Sequence, residues 1–442
     1  MPRGWARVHA VVEEEHVITT PDSGAAGPAP GDPGSPEAGT GSAAPDDDAP
    51  TPLPWSERLR PHRLKLGVLG VFVLALLVPG CSFVRAMEAP GNLTAQEKAV
   101  EWLRDNGLNG PVNSVENWWY TNHPPRTGGT PLRPITAVGP PVQHGRTSHP
   151  TSTSTTQVTL VHTVAPADVA SPAADPLPNE GVWMPVGPRI GGLPIMEETQ
   201  VRPDAVHTSL LDGLVWMDPH LVRFELHPGL TEPGQTLSQP PDIPIADRLN
   251  LVAAFNSGFR MRDARGGFYL HGVTARPLVN GAASLVIDKD GSATVGQWGR
   301  DVTMGPQVEA VRQNLELIVD GGRLAPGLTD NRNGAWGQTL GQKVLVWRSA
   351  VCVDAHGGLI FGYGNGLGAL SLAELMQRAG CQQAMELDIN SSWTTFNFYA
   401  PVEAGNPASV LGTRMLADQL KPGDRYLSPD ARDFIAVFAR QS

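Results

Sequence analysis

Glycine and proline restrict the folds open to this chain more than any other feature, with 49 Gly and 42 Pro among 442 residues. Together they make up about one residue in five, where roughly 12% is usual. Both residues break helices, so a mostly helical or coiled-coil protein is excluded. Two possibilities remain: a loop-rich β-containing domain, or long disordered tracts attached to an ordinary domain.

The charge of the chain is unevenly distributed. The net charge of −11 argues against a nucleic-acid partner, because nucleic acids select basic surfaces. Residues 1–57 hold ten acidic and two basic residues. Residues 20–54 are rich in Pro and Gly, and they lack the apolar surface needed to offset the entropy of ordering. We therefore predict a disordered acidic cytoplasmic tail over residues 1–63.

An uncharged stretch of 19 residues, 66–84, follows a cluster of basic residues at 58–65. As a helix it is about 28 Å long, close to the roughly 30 Å hydrocarbon core of a bilayer. The positive-inside rule places the N-terminus in the cytoplasm and the C-terminal domain outside the cell membrane. We predict one transmembrane helix over 64–84. The alternatives are a buried helix, a lipoprotein signal ending at Cys81 and a cleaved signal peptide. The long acidic leader argues against the lipoprotein signal and against the cleaved signal peptide.

A short helical stalk and a linker are expected after the anchor. Thr94 and Glu97 have the spacing of a capping box, so residues 85–123 are interpreted as a helical stalk segment. Residues 124–180 are rich in Pro, Thr and Ser, which is typical of an extended linker, with one isolated strand at 157–164.

The C-terminal domain, residues 181–442, alternates short apolar runs with turn residues, which predicts an α+β fold with a mixed or antiparallel sheet and few flanking helices. Hairpins are expected around 288–291 and 354–358. A helix is predicted over 371–379 with Ser371 as its cap, and a weaker one over 307–313. The strand candidates are 214–217, 221–226, 250–255, 267–271, 283–287, 292–298, 315–319, 344–353, 358–363, 384–388 and 395–399.

Two places in this domain have residue types suited to phosphate binding. Asn256 and Gly258 follow a strand, where an amide can bond a ligand and a glycine permits close backbone approach; the alternative is an ordinary Asx turn. Arg348 lies alone in an apolar run, where its fork of donors suits a phosphate. The alternative for Arg348 is a structural ion pair with Glu386 or Asp388.

Glu386 and Asp388 are candidates for acid–base chemistry. On a strand, residues two apart project from one face, and paired carboxyl groups can cleave glycosidic bonds. The same pair can bind a divalent cation, and a solvated edge strand is the alternative. His271 is a candidate proton shuttle or else a structural histidine. No zinc-type spacing, P-loop or dinucleotide fingerprint is present, so we expect no cofactor beyond that possible cation.

The order of these motifs over residues 205–440 resembles the phosphodiester glycosidase family, in its membrane-anchored actinobacterial type. Asn256, Gly258 and Phe259 match the family's Asn-Gly-Gly-Phe turn, Arg348 matches its Arg-Thr/Ser strand, and Asp388 matches the Asp of its Leu-Asp-Gly-Gly-Gly-Ser-Ser turn. Asn390 and Ser392 lie in that turn as substrate-binding candidates. The resemblance implies hydrolysis of a sugar-1-phosphodiester in an envelope or extracellular glycan, with Asp388, Glu386 and His271 as catalytic candidates.

The chain departs from the family at one glycine, where it has Ser257, and at a run of three glycines, where residues 389–391 are Ile-Asn-Ser. These replacements favour an alternative, a non-catalytic module that binds a cell-envelope polysaccharide or glycan phosphate. A surface domain without a small-molecule site is the third possibility. Cys352 and Cys381 lie in one extracytoplasmic domain, where a disulfide is possible.

Overall fold

The computed structural model describes residues 77–140, 160–329, 335–337 and 345–441. The chain divides into two units, residues 1–84 and residues 85–442. Of the first unit only residues 77–84 are described, and they are helical.

Among the described residues of the second unit, eighteen strands form three sheets, and every pairing between named strands is antiparallel. The fold is therefore β-rich, with few helices among the described residues, as the sequence predicts. The strands are β1 (Met184–Ile190), β2 (Leu193–Val201), β3 (Asp212–Met217), β4 (Val222–His227), β5 (Leu251–Asn256), β6 (Phe268–Leu270), β7 (Val273–Arg276), β8 (Ala283–Asp288), β9 (Ala293–Gln297), β10 (Val308–Gln313), β11 (Leu317–Asp320), β12 (Arg323–Leu324), β13 (Val346–Asp354), β14 (Leu359–Leu367), β15 (Cys381–Glu386), β16 (Phe396–Pro401), β17 (Val410–Arg414) and β18 (Phe434–Ala439).

The three sheets share one hydrophobic core. The first sheet has the order β1-β2-β3-β14-β13-β15-β11-β12, the second β7-β6-β10-β8-β9 and the third β17-β16-β5-β18-β4. Phe361 of β14, Leu285 of β8 and Phe255 of β5 belong to a single buried cluster. Burial of this apolar surface is what fixes the sheets against one another.

In the described part of the second unit, the sheets are accompanied by the helices α1 (Ala95–Asp105), α2 (Asn109–Asn122), α3 (Met261–Ala264) and α4 (Ala369–Arg378). α1 has the predicted capping box between Thr94 and Glu97. α1 and α2 form a hairpin in which Arg104 pairs with Glu116 at 2.7 Å. α4 begins earlier than predicted, because Gly368 is its cap and Ser371 lies inside the first turn.

All eleven predicted strand regions contain strands, and both predicted hairpins are present. The helix predicted over 307–313 is wrong. Those residues form β10, which lies between β6 and β8 in the centre of the second sheet, and pairing on both sides outweighs a weak local helix preference. β1, β2, β7, β10, β12, β17 and β18 were not predicted as strands.

The described parts of residues 124–180 pack on the domain. Ile135 and Val169 are buried, and Glu180 forms a buried ion pair with Arg202 of 2.8 Å. Of the isolated strand predicted at 157–164, residues 157–159 lie outside the described residues and 160–164 are not in a strand. Cys352 and Cys381 form the disulfide that the sequence allowed.

Within the described part of the chain, no helix is long and apolar enough to cross a membrane. The predicted span 64–84 lies mostly outside this part, since only residues 77–84 of it are described. The disordered tail predicted over residues 1–63 lies wholly outside it. Both remain predictions.

Candidate active site

Asp388 lies in the turn after β15, an inner strand of the first sheet, and its side chain is almost fully buried. One carboxylate oxygen accepts the N–H groups of Ile389 at 2.7 Å and Asn390 at 2.9 Å. The other oxygen lies 3.4 Å from Nη2 of Arg432. Burial raises the pKa of Asp388, and Arg432 and the two N–H groups oppose that rise. The turn's own N–H groups are thus bonded to Asp388.

Arg432 lies just before β18 and joins the turn of Asp388 to the turn after β5. Its Nη2 donates to the carbonyl of Gly258 at 3.3 Å, and its guanidinium lies 4.9 Å from the ring centre of Trp393. Its Nε is buried and has no hydrogen-bond partner among the described residues. Arg432 therefore has donor capacity left for a ligand.

A cleft of about 260 Å³ opens beside this arginine. Arg260, Glu232, Trp393 and Arg432 are among the residues that line it. Burial, with the nearby charges of Arg432 and Arg262, lowers the pKa of Arg260 to about 9, which leaves it protonated at neutral pH and favours an anion beside it. Burial raises the pKa of Glu232, against the pull of Arg432. The cleft thus joins anion-binding guanidinium groups with carboxyl groups able to exchange protons.

Asn256 is buried at the junction of two sheets rather than open to the cleft. Its amide nitrogen donates to Oγ of Ser349 at 3.0 Å, and its amide oxygen accepts the N–H of Thr395 at 3.1 Å. Gly258 is needed for packing, because a Cβ there would lie 3.0 Å from the guanidinium of Arg312. Their proposed substrate-binding roles stay predictions, while the geometry shows structural contacts for both.

Arg348 and Glu386 form the buried ion pair that was the structural alternative for Arg348. Arg348 also donates from Nε to the carbonyl of Leu367 at 3.1 Å. Burial raises the pKa of Glu386 to about 7, and Arg348 limits the rise. The expectation that Glu386 and Asp388 share one face of a strand is wrong, because β15 ends at Glu386 and Asp388 turns toward Arg432.

The remaining predicted residues have separate positions. His271 lies in the β6–β7 hairpin, and its partners among the described residues are Glu309 at 3.4 Å and Ser238 at 3.4 Å. Those contacts do not connect it to Asp388. Asn390 accepts the N–H of Ser392 at 2.9 Å in an Asx turn, within the loop that follows Asp388.

Sequence reasoning missed four residues of the cleft: Glu232, Arg260, Trp393 and Arg432. The sequence contains one signal for Arg432. Residues 430–433, Asp-Ala-Arg-Asp, directly precede the apolar run of β18. Charges at the end of a buried strand need partners, and so predict a polar site. Among the described residues, no group of three His, Cys, Asp or Glu side chains is arranged to hold a metal ion.

A family model matches part of this domain. Residues 249–411 match the model of the phosphodiester glycosidase family, a range that includes Asp388 but neither Glu232 nor Arg432. No curated protein matches the chain. The matched range covers a little over a third of the chain.

Solved structures with low similarity to the chain include three of note. The zebrafish N-acetylglucosamine-1-phosphodiester alpha-N-acetylglucosaminidase catalytic domain, auto-inhibited by pro-peptide, is 15% identical; the match covers 62% of this chain and 87% of that one, with a TM-score of 0.38. A hypothetical protein from Synechocystis is 14% identical, over 55% and 64%, with a TM-score of 0.31. A putative exported protein from Burkholderia pseudomallei is 13% identical, over 52% and 74%, with a TM-score of 0.27. Scores this low decide nothing about the site.

We predict that Arg348→Ala destabilises the domain by about 3–5 kcal/mol, because it leaves the Glu386 carboxyl buried without its partner. The double variant Arg348→Met with Glu386→Leu removes both charges, and we expect it to recover most of that loss. Urea unfolding of the wild type and both variants measures these free energies. A double variant no more stable than Arg348→Ala contradicts a purely structural pair.

Proposed function

We propose that the domain is a hydrolase that cleaves a sugar-1-phosphodiester at the bond between the anomeric carbon and the phosphate oxygen. The observation that carries the proposal is the contact of Asp388 with Arg432 beside a cleft that Arg260 and Glu232 also line. The family match over residues 249–411 supports the same reaction class.

The charge of the cleft suits the leaving group of this reaction. When the sugar carbon–oxygen bond breaks, its electron pair leaves on the phosphate oxygen, so negative charge grows there in the transition state. Guanidinium groups placed at that oxygen stabilise the charge without transferring a proton. We assign this role to Arg260 and Arg432, and Nε of Arg432 is the donor still without a partner among the described residues.

A carboxylate is also required, either to remove a proton from the attacking water or to attack the anomeric carbon directly. In the water mechanism the water oxygen bonds to the anomeric carbon, its proton passes to the carboxylate, and the phosphate leaves. We assign the carboxylate to Asp388 and a proton-exchanging role to Glu232, whose pKa burial raises. Of Glu386 and Asp388, Glu386 is the weaker candidate because it forms a buried ion pair with Arg348.

A non-catalytic glycan-phosphate binding module is the second candidate. It is favoured by one observation: the N–H groups of Ile389 and Asn390 are bonded to the Asp388 carboxylate and are not free to cradle a phosphate. Such a module binds the same ligand but releases no sugar.

We predict that Asp388→Asn and Arg432→Gln each lower the release of sugar from a sugar-1-phosphodiester at least 100-fold, because each removes a group that acts in the transition state. Asp424→Asn is the matched control, since Asp424 is exposed and makes no side-chain cap. Sugar release by the full chain is measured alongside thermal unfolding. Wild-type turnover in either folded variant contradicts the assignment, and ligand binding without product by the wild type selects the binding module.

We also propose that the chain is anchored in the cell membrane by residues 64–84, with its glycan substrate outside the cytoplasm. The support is the uncharged 19-residue run after a basic cluster. Carbonate extraction followed by protease treatment of intact cells tests this. The anchored form stays in the membrane pellet and loses its C-terminal domain to the protease; release by carbonate contradicts it.

A further inference from the structure

Helix α1 presents a row of three carboxylates to the rim of the cleft. Glu97, Glu101 and Asp105 are spaced four residues apart, so they lie on one side of the helix. At 1.5 Å per residue, successive members are about 6 Å apart and the whole row is about 12 Å long.

Each carboxylate of this row meets a cation of the domain. Glu97 pairs with Lys421 at 2.6 Å, and Glu101 pairs with Arg260. Asp105 lies 2.9 Å from both Arg260 and Arg262. The domain therefore carries a linear row of cations, Lys421, Arg260 and Arg262, which we call the cationic row.

At the buried end of the row, Glu97 and Lys421 each influence the pKa of the other. Burial alone would raise the pKa of Glu97, but Lys421 and nearby hydrogen bonds lower it below its ordinary value. Burial also lowers the pKa of Lys421, and Glu97 opposes that change. Cations held in this way need an anion, whether it comes from α1 or from a ligand.

The cationic row exceeds what one phosphodiester requires. Arg260 and Arg432, which both line the cleft, suffice for a single phosphate. Lys421 and Arg262 lie at opposite ends of the row, as their partners on α1 show. A ligand that replaces all three carboxylates of α1 must carry anions about 6 Å apart.

We propose that the cationic row binds a linear polymer of three-carbon alditol phosphates, whose phosphodiesters replace the carboxylates of α1. Six bonds separate successive phosphorus atoms in such a polymer, and at about 1.2 Å per extended bond the repeat is about 7 Å. Two repeats span about 14 Å, close to the length of about 12 Å of the carboxylate row on α1. A five-carbon alditol phosphate, with eight bonds per repeat, spans about 19 Å over two repeats and fits the row poorly. The ligand class rests on the proposed function, but the binding itself requires no turnover.

The first test neutralises the three carboxylates of α1 and substitutes no residue of the cationic row. The full chain carrying Glu97→Gln, Glu101→Gln and Asp105→Asn keeps its helix, because Gln also serves in a capping box. Binding of a fluorescent six-unit glycerol phosphate oligomer is followed by anisotropy. We expect at least tenfold tighter binding than by the wild type, and binding that weakens as salt is added. The control is Glu116→Gln, which changes a carboxylate of the same hairpin that pairs with Arg104 instead, and it should bind as the wild type does.

The second test removes the ends of the row. Adding Lys421→Gln and Arg262→Gln to the neutralised chain should weaken oligomer binding at least tenfold. A ribitol phosphate oligomer of equal length should bind at least threefold more weakly than the glycerol phosphate oligomer. If the neutralised chain binds no tighter than the wild type, or both oligomers bind equally, the proposal is overturned. If the wild type does not hydrolyse a sugar-1-phosphodiester, the proposed function is contradicted. The binding results still test the cationic row, because binding requires no turnover.

Discussion

The ion pair between Arg312 and Asp433 is the contact on which the site most depends. Its Nε–Oδ2 distance is 2.6 Å and both side chains are fully buried. Arg312 belongs to β10 of the second sheet, and Asp433 directly precedes β18 of the third, so the pair joins two sheets. Removing one partner of such a pair leaves an uncompensated buried charge, which costs about 3–5 kcal/mol. The pair therefore fixes the backbone at Asp433, and with it the neighbouring Arg432.

The turn after β5 uses the same anchor. Arg312 donates to the carbonyl of Phe259, and Ser257 donates its hydroxyl to Asp433. Gly258 leaves the space that the guanidinium occupies. Ser257 stands where the family resembled by this sequence has a glycine, and here its hydroxyl has a structural partner. This replacement therefore adds a bond to the buried pair.

The sequence predicts local structure well in this domain and long-range contacts poorly. Apolar runs bounded by turn residues identify most strands, because burial and turn chemistry are both local signals. β10 was mistaken for a helix and β18 was overlooked, since their stability comes from pairing with strands distant in sequence. Asp388 was found from its motif, but its partner Arg432 follows it by 44 residues and no spacing rule connects them. For Arg348 and Glu386 the sequence suggests chemical roles, whereas the structure pairs the two side chains with each other.

Guanidinium groups line the cleft, and their positive charge is complementary to that of an anionic ligand. Guanidinium groups from the turn after β5 and from the start of β18 meet there, and carboxyl groups with raised pKa lie beside them. α1 adds its own carboxylates at the rim, so the same cations are used by the protein and, on our account, by its ligand. Charge complementarity thus connects the fold of the hairpin with the chemistry of the cleft.

The position of bond cleavage tests this account most directly. A sugar-1-phosphodiester is hydrolysed by the full chain in water enriched in oxygen-18, and the products are analysed by mass spectrometry before the label can exchange at the anomeric carbon. Attack at the anomeric carbon places the heavy oxygen on the released sugar, which is the result the account predicts. Heavy oxygen on the phosphate instead indicates attack at phosphorus, and contradicts a glycosidase that stabilises a phosphate leaving group.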